Sequence, residues 1–244
     1  MPPFALVTGT SSGIGQAVAR ELLTRGWEVA GLARRAAPID DPAYHHHLFD
    51  LADSGALPAL VSDLCARYGI ADRPRAGLVN NAAVVGELTG ADRLDPRRLL
   101  ATQAVNLVAP VFLAGAFVHR CPSSVPLRVV NVSTGAATRA FPGMTAYASS
   151  KAALRMAGMV MGSELDAAPT GRDVAILSFE PGVVDTAMQV TARSTPQAEF
   201  PSADLFVGFH QQGMLIPPEG PARAIADFLE SNGQPHFAER RFGG

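Results

Sequence analysis

An apolar run, Phe4–Thr8, leads directly into Thr8-Gly9-Thr-Ser-Ser-Gly13-Ile-Gly15. From Ile14 the apolar residues switch to helical spacing, with Ile14, Val18 and Leu22 on one face and Gly26 as a stop. A strand this apolar needs cover on both faces, and a helix that follows it at once supplies one cover. The alternation continues along the chain. Trp27–Ala33 reads as a second buried strand and His46–Phe49 as a short third one. Leu57, Leu60, Val61, Leu64 and Tyr68 mark a helix over Leu57–Tyr68, and Gly77–Asn80 is a fourth strand. A helix is expected from Pro96 to Arg120, kinked at Pro110. Leu127–Ser133 and Val174–Phe179 are strands five and six, on either side of a long helix over Ala146–Ala167. Glu219–Leu229 is a last helix and His236–Ala238 a final strand. The expected fold is one α/β domain: a doubly wound (Rossmann) mostly parallel sheet of about seven strands, with helices on both faces.

Composition agrees with one domain. The chain is 48% hydrophobic and 17% charged, with a net charge of -2, so nothing global draws it to nucleic acid or to an anionic membrane. No repeat, linker or low-complexity tract divides it. No uninterrupted apolar run is long enough to span a bilayer, and the start lacks the basic and apolar regions of a leader. Cys65 and Cys121 have no metal or redox spacing, which fits a cytoplasmic chain.

Two features point to chemistry. Glycines between a strand and a helix let the backbone approach a pyrophosphate, and the helix N-terminus offers free N–H groups to it. The spacing here is Gly-x3-Gly-x-Gly; a glycine-rich turn without a ligand is the alternative. The second strand ends Ala33-Arg34-Arg35, with no acid to hold a ribose hydroxyl. A guanidinium pairs bidentately with phosphate, so NADP(H) is expected, with Arg34 and Arg35 as its readers. Two solvated surface arginines are the other possibility.

The chain has one lysine among nineteen arginines, and Lys151 follows Tyr147 by four residues in Tyr147-Ala-Ser-Ser-Lys151. On a helix these side chains share a face about one turn apart. An ammonium there favours the phenolate and is expected to lower the tyrosine pKa from about 10. The pair alone serves equally as a surface lysine with a chance tyrosine.

Together these residues resemble the short-chain dehydrogenase/reductase family over almost the whole chain. The resemblance rests on the Thr8–Gly15 loop, on Asn80-Asn81-Ala82-Ala83, on Ser133 with Tyr147-x-x-x-Lys151, and on Pro181-Gly182-Val-Val184-Asp-Thr186. It implies an enzyme acting on a small-molecule carbonyl. Tyr147 would give a proton to the carbonyl oxygen, Lys151 would support it, and Ser133 would hydrogen-bond the substrate. Asn106 would help hold a water in the proton relay; an exposed helix residue is the bland alternative. The cofactor would lie on Gly9, Ser12, Gly13, Ile14, Gly15, Asp50, Leu51, Asn81, Val184 and Thr186, and on Tyr147 and Lys151, with Lys151 holding the nicotinamide ribose hydroxyls. The family also implies a homodimer or homotetramer.

Three departures stand out. Ala83 replaces the motif's glycine, Glu180 precedes Pro181-Gly182, and the C-terminal segment lacks a glycine-rich closing motif. The substrate-binding segment, about 182–218, resembles the sepiapterin reductase and benzil reductase branch. In Gly213-Met-Leu-Ile-Pro217 a proline stands where a pterin-anchoring acid is found in sepiapterin reductases. An apolar diketone or aromatic ketone is therefore favoured, with Phe141, Met144, Met188, Phe206 and Phe209 as pocket candidates beside Ser133 and Tyr147. Sepiapterin, 3-oxoacyl and alcohol substrates, or a regulatory protein that binds nucleotide without chemistry, are the alternatives. His45-His46-His47 alternate across a strand, and no metal set is expected.

Overall fold

The computed structural model describes residues 1–168 and 171–243. Seven parallel strands form one sheet: β1 (Phe4–Thr8), β2 (Glu28–Ala33), β3 (Tyr44–Leu48), β4 (Ala76–Asn80), β5 (Leu127–Val132), β6 (Val174–Glu180) and β7 (Phe237–Arg241). Their spatial order is β3-β2-β1-β4-β5-β6-β7. The strand alternation assigns each side chain to a layer. Phe4 and Leu6 pack with α2 (Leu57–Tyr68), α4 (Ala109–Arg120) and α5 (Thr145–Ala167). Ala5 and Val7 face the other way, against α1 (Gly13–Thr24) and α8 (Glu219–Glu230). This is the doubly wound α/β sheet expected from the alternation of apolar runs.

The helix expected over 96–120 is interrupted in a different place and manner. It comprises α3 (Pro96–Gln103), a π-turn (Ala104–Val108) and α4. The break precedes Pro110 instead of falling on it. Pro110 has no N–H, and its ring would clash with the carbonyl four residues back, so the backbone opens before the ring. Ala109 N–H accordingly bonds Ala104 O, five residues back. By length and composition, the 25 residues Pro96–Arg120 could cross a membrane, with mean hydropathy 1.7 over the most apolar stretch. Here Ala109, Leu113, Ala114 and Phe117 cover the sheet instead.

The 182–218 segment carries two short helices that spacing did not indicate, α6 (Ala187–Ser194) and α7 (Ala203–Gln211). They pack on one another through a small cluster containing Ala192, Phe200, Ala203 and Phe206. Boundaries elsewhere agree or shift by at most three residues, as frayed ends do.

At the opposite end of the sheet from the glycine loop, Arg128 is fully buried. Its guanidinium donates to Ser231 O (2.8 Å), Leu127 O (3.0 Å) and Asp173 O (3.1 Å), and pairs with the Asp173 carboxylate at 2.7 Å. It thereby ties β5 to the segments before β6 and after α8. Replacing it with an apolar side chain takes both guanidinium bonds from Ser231 O and leaves the Asp173 carboxylate without its partner. Arg128→Met should destabilise the fold by about 3 kcal/mol, read as a lower urea midpoint with an unchanged slope.

Candidate active site

The winding reverses between β1 and β4, and an open doubly wound sheet leaves a crevice at the carboxyl ends of such strands. A cavity of about 580 Å³ occupies that crevice and runs from Arg34 at one end to Phe209 at the other.

At the first end the glycine loop is shaped by its neighbours. Gly9 and Gly13 have positive φ (76° and 58°), which favours glycine. Gly15 is needed for a different reason: a Cβ there would collide with Asn81 Nδ2 and Gly9 O. Asn81 holds the loop from β4, donating through Nδ2 to Thr8 O (2.9 Å), while its N–H and that of Ala82 donate to Thr8 Oγ1 (both 3.0 Å). Ser12 starts α1 without a side-chain cap and the first turn carries no acid, so the helix amides remain available to an anion. Ser12, Gly13, Ile14, Arg34, Arg35, Asp50, Leu51, Val184 and Thr186 line the cavity, as does Gly9. Gly15 lies beneath the lining and supports it through close packing. Arg34 and Arg35 are exposed and, among the described residues, make no ion pair. A narrow cradle, open amides and two free guanidiniums fit a phosphorylated dinucleotide.

At the other end, α5 places Tyr147 and Lys151 one turn apart, both buried and both in the lining. Lys151 Nζ lies 6.0 Å from the Tyr147 ring centre and donates to Val132 O at 2.8 Å. Among the described residues it has no carboxylate partner. Burial pushes the Lys151 pKa down to about 8 and the Tyr147 pKa up to about 12. The phenol therefore stands above its ordinary value and not below it as expected, because desolvation disfavours the phenolate. The Thr134 hydroxyl, also in the lining, opposes the rise.

Thr134 is the residue missed in the sequence. Ser133 and Thr134 both line the cavity, and it is the Thr134 hydroxyl that acts on the Tyr147 phenol. The reason is one residue of register. Strand β5 ends at Val132, and Ser133 N–H extends the ladder to Phe179 O at 2.7 Å. Thr134 follows in extended conformation and caps the turn over Gly135–Ala137, its Oγ1 accepting from Ala136 N at 3.3 Å. Adjacent hydroxyls in Ser133-Thr134 were the available signal.

Asn106 sits in the π-turn, fully buried, and its side chain is not part of the lining. Its Oδ1 accepts from Val84 N (2.9 Å), and its Nδ2 donates to Val84 O (2.8 Å) and Ser150 Oγ (3.1 Å). Ser150 is the residue before Lys151, so this amide positions α5 against the segment after β4.

Phe141, Met144 and Met188 line the apolar end, with Phe206, Phe209 and also Met214. Pro217 lies outside the lining. Its neighbour Ile216 pairs with the 183–185 segment, Ile216 N bonding Val183 O and Asp185 N bonding Ile216 O, each at 2.9 Å. Glu180 faces two arginines, Arg241 at 3.5 Å and Arg139 at 3.7 Å. The three histidines separate: His46 bonds Tyr44, His45 pairs with Glu28, and His47 bonds Tyr68.

Comparison with known proteins agrees with this geometry. The short chain dehydrogenase family model matches residues 3–197. A benzil reductase ((S)-benzoin forming) of Bacillus cereus is 30% identical, covering 93% of this chain and 94% of that protein. The benzil reductase ((S)-benzoin forming) of Bacillus subtilis is 32% identical, covering 92% of each. The solved structure of the YIR035C short chain dehydrogenase/reductase from Saccharomyces cerevisiae shares the fold, with a TM-score of 0.82 at 24% identity over 100% of this chain and 97% of that one.

Because the chain has a single lysine, labelling lysine side chains with ¹³C gives one reporter of this site. Its signal should titrate near pH 8. A midpoint at the ordinary value of about 10.4 would show the ammonium to be solvated.

Proposed function

We propose that this chain, which belongs to the short-chain dehydrogenase/reductase family, is an NADPH-dependent carbonyl reductase whose substrate is an apolar ketone or vicinal diketone such as benzil. The family establishes an oxidoreductase acting between CH–OH and C=O with a nicotinamide cofactor. The observation that carries the finer reading is a buried, protonated tyrosine one helical turn from Lys151, in a Phe- and Met-lined cavity.

NADPH, when bound, supplies the hydride that reduces the carbonyl carbon. The residues of the chain handle the proton. Tyr147 remains a neutral phenol across physiological pH because burial raises its pKa, so it is ready to donate to the carbonyl oxygen. Thr134 donates its hydroxyl proton in a hydrogen bond to the same oxygen and polarises the carbonyl. As Tyr147 gives up its proton, the phenolate that forms is stabilised by the nearby Lys151 ammonium. Asn106 acts by positioning: it holds the Val84 and Ser150 segments between which the site forms.

The cofactor preference rests on Arg34 and Arg35. Both follow β2 at the cavity, and neither is engaged by a carboxylate among the described residues. A 2′-phosphate there would gain charge-assisted hydrogen bonds that a 2′-hydroxyl cannot provide. The substrate preference rests on Phe141, Met144, Met188 and Phe206, together with the similarity to benzil reductases. The chain has Pro217 where the sepiapterin pattern has an acid, so this position contributes no carboxylate to bind a pterin.

The exposed side chains of Val108, Phe112, Met156 and Val160 place apolar surface on α4, the π-turn before it and α5. We place the contact of a homodimer or homotetramer on this surface.

The test is oxidation of NADPH, followed by its near-ultraviolet absorbance, with benzil, sepiapterin and an acetoacetyl thioester, and with NADH in parallel. Benzil should turn over fastest and with NADPH. An NADH preference would overturn the arginine reading, and silence on all three carbonyls would overturn the substrate class. With the best substrate, Thr134→Ala should lower kcat/KM by about 10²-fold, and Thr134→Ser should restore most of it. Loss on Ser133→Ala with none on Thr134→Ala would return the polarising role to Ser133.

A further inference from the structure

Resting on the reading of the glycine loop and of Arg34 and Arg35 as the NADPH site, we propose that Tyr44, backed by His46, is a positioning residue for the cofactor. It ties the glycine loop to the strand end that carries the two arginines.

Tyr44 lies at the start of the edge strand β3, outside the cavity lining. Its ring crosses the neighbouring strand β2 at Gly31. A Cβ at Gly31 would collide with the Tyr44 hydroxyl and would come within 2.7 Å of Thr10 Oγ1. Gly31 is therefore the gap through which the side chain reaches the loop. There Tyr44 Oη meets Thr10 Oγ1 at 2.8 Å. Thr10 directly follows Gly9, is fully buried, and does not line the cavity. Its hydroxyl thus holds the loop from behind without touching a ligand.

The other neighbour of Tyr44 Oη is His46 Nδ1, at 2.9 Å. Gly31 and His46 are register partners in the sheet. The second ring nitrogen of His46, Nε2, is buried without a partner of full hydrogen-bond geometry, and the ring sits against the Arg35 backbone. Burial lowers the His46 pKa and raises that of Tyr44, so both groups are neutral near pH 7. One phenol O–H can donate to only one of its two neighbours, so the other must donate to it. The chain Thr10–Tyr44–His46 is then a directed relay of hydrogen bonds. It ends beside Arg35 at one side and in the glycine loop at the other.

This arrangement links the two segments that read the ends of a phosphorylated dinucleotide. A loop held in its binding conformation before the ligand arrives avoids the ordering cost at binding. Losing the tie should weaken cofactor binding and leave the chemistry at Tyr147 in place.

The experiment compares NADPH affinity by calorimetry for the wild-type chain, Tyr44→Phe, Thr10→Val and the double variant, with turnover at saturating NADPH. Both single substitutions keep the shape of the side chain and remove only its polarity or hydroxyl. Each should weaken NADPH binding roughly three- to tenfold, the worth of one hydrogen bond. The double variant should be no weaker than the poorer single, because the two residues serve one contact. Turnover at saturation should stay within about twofold of wild type, since only binding is affected. NADPH affinity equal to wild type in Tyr44→Phe, whether or not its melting temperature falls, overturns the proposal. So do fully additive losses in the double variant. If the wild-type chain binds neither NADPH nor NADH, the nucleotide reading fails and this inference falls with it. Wild-type binding with unperturbed variants removes the inference alone.

Discussion

Lys151 is a buried ammonium held by one backbone carbonyl. Its Nζ donates to Val132 O at the end of β5, and among the described residues no carboxylate neutralises it. Burying such a charge costs several kcal/mol unless the surroundings repay it. That cost explains why the site is built around its position. The helix α5 must meet the end of β5 at one register for the bond to form. Asn106 fixes that register from the π-turn by bonding Ser150 Oγ, and Ser150 in turn donates to Tyr147 O at 2.7 Å. Tyr147 then lines the cavity together with Thr134 from the turn after β5. A longer, planar arginine in place of Lys151 would need room and acceptors that one carbonyl does not offer.

The same desolvation sets the protonation states. Tyr147 is driven toward its neutral form and Lys151 toward losing its proton, yet at pH 7 the lysine remains mostly charged because its pKa is still about 8. A neutral proton donor beside a positive charge is the state needed to reduce a carbonyl. The two demands are met without an ion pair, which would have held the lysine charge away from the phenol.

Much of this was legible in the chain. Alternating apolar runs and helical spacing indicated the sheet and its layers, because a strand buried on both faces leaves a continuous apolar signature. Gly9 and Gly13 were legible because positive φ restricts the residue type. Tyr147 and Lys151 were legible because a helix brings residues four apart together. What escaped depends on contacts between distant segments. Ser133 and Thr134 differ by one residue of register, and the pairing of Ser133 N–H with Phe179 O, which sets where β5 ends and the turn begins, is not visible in the sequence. The sign of the Tyr147 shift depends on burial, which spacing does not report. The π-turn before Pro110 and the helices α6 and α7 arise from packing, and the positioning bonds of Asn106 were not legible because its partners, Val84 and Ser150, lie far away in sequence.

The central claim is that Tyr147 delivers the proton during carbonyl reduction. The direct measurement is Tyr147→Phe, assayed for NADPH affinity and for turnover of the best carbonyl substrate. The account predicts NADPH binding within about threefold of wild type, since the ring and its packing are kept, and turnover reduced by at least about 10³-fold. Turnover within about tenfold of wild type, with binding intact, would place the proton donor elsewhere and contradict it.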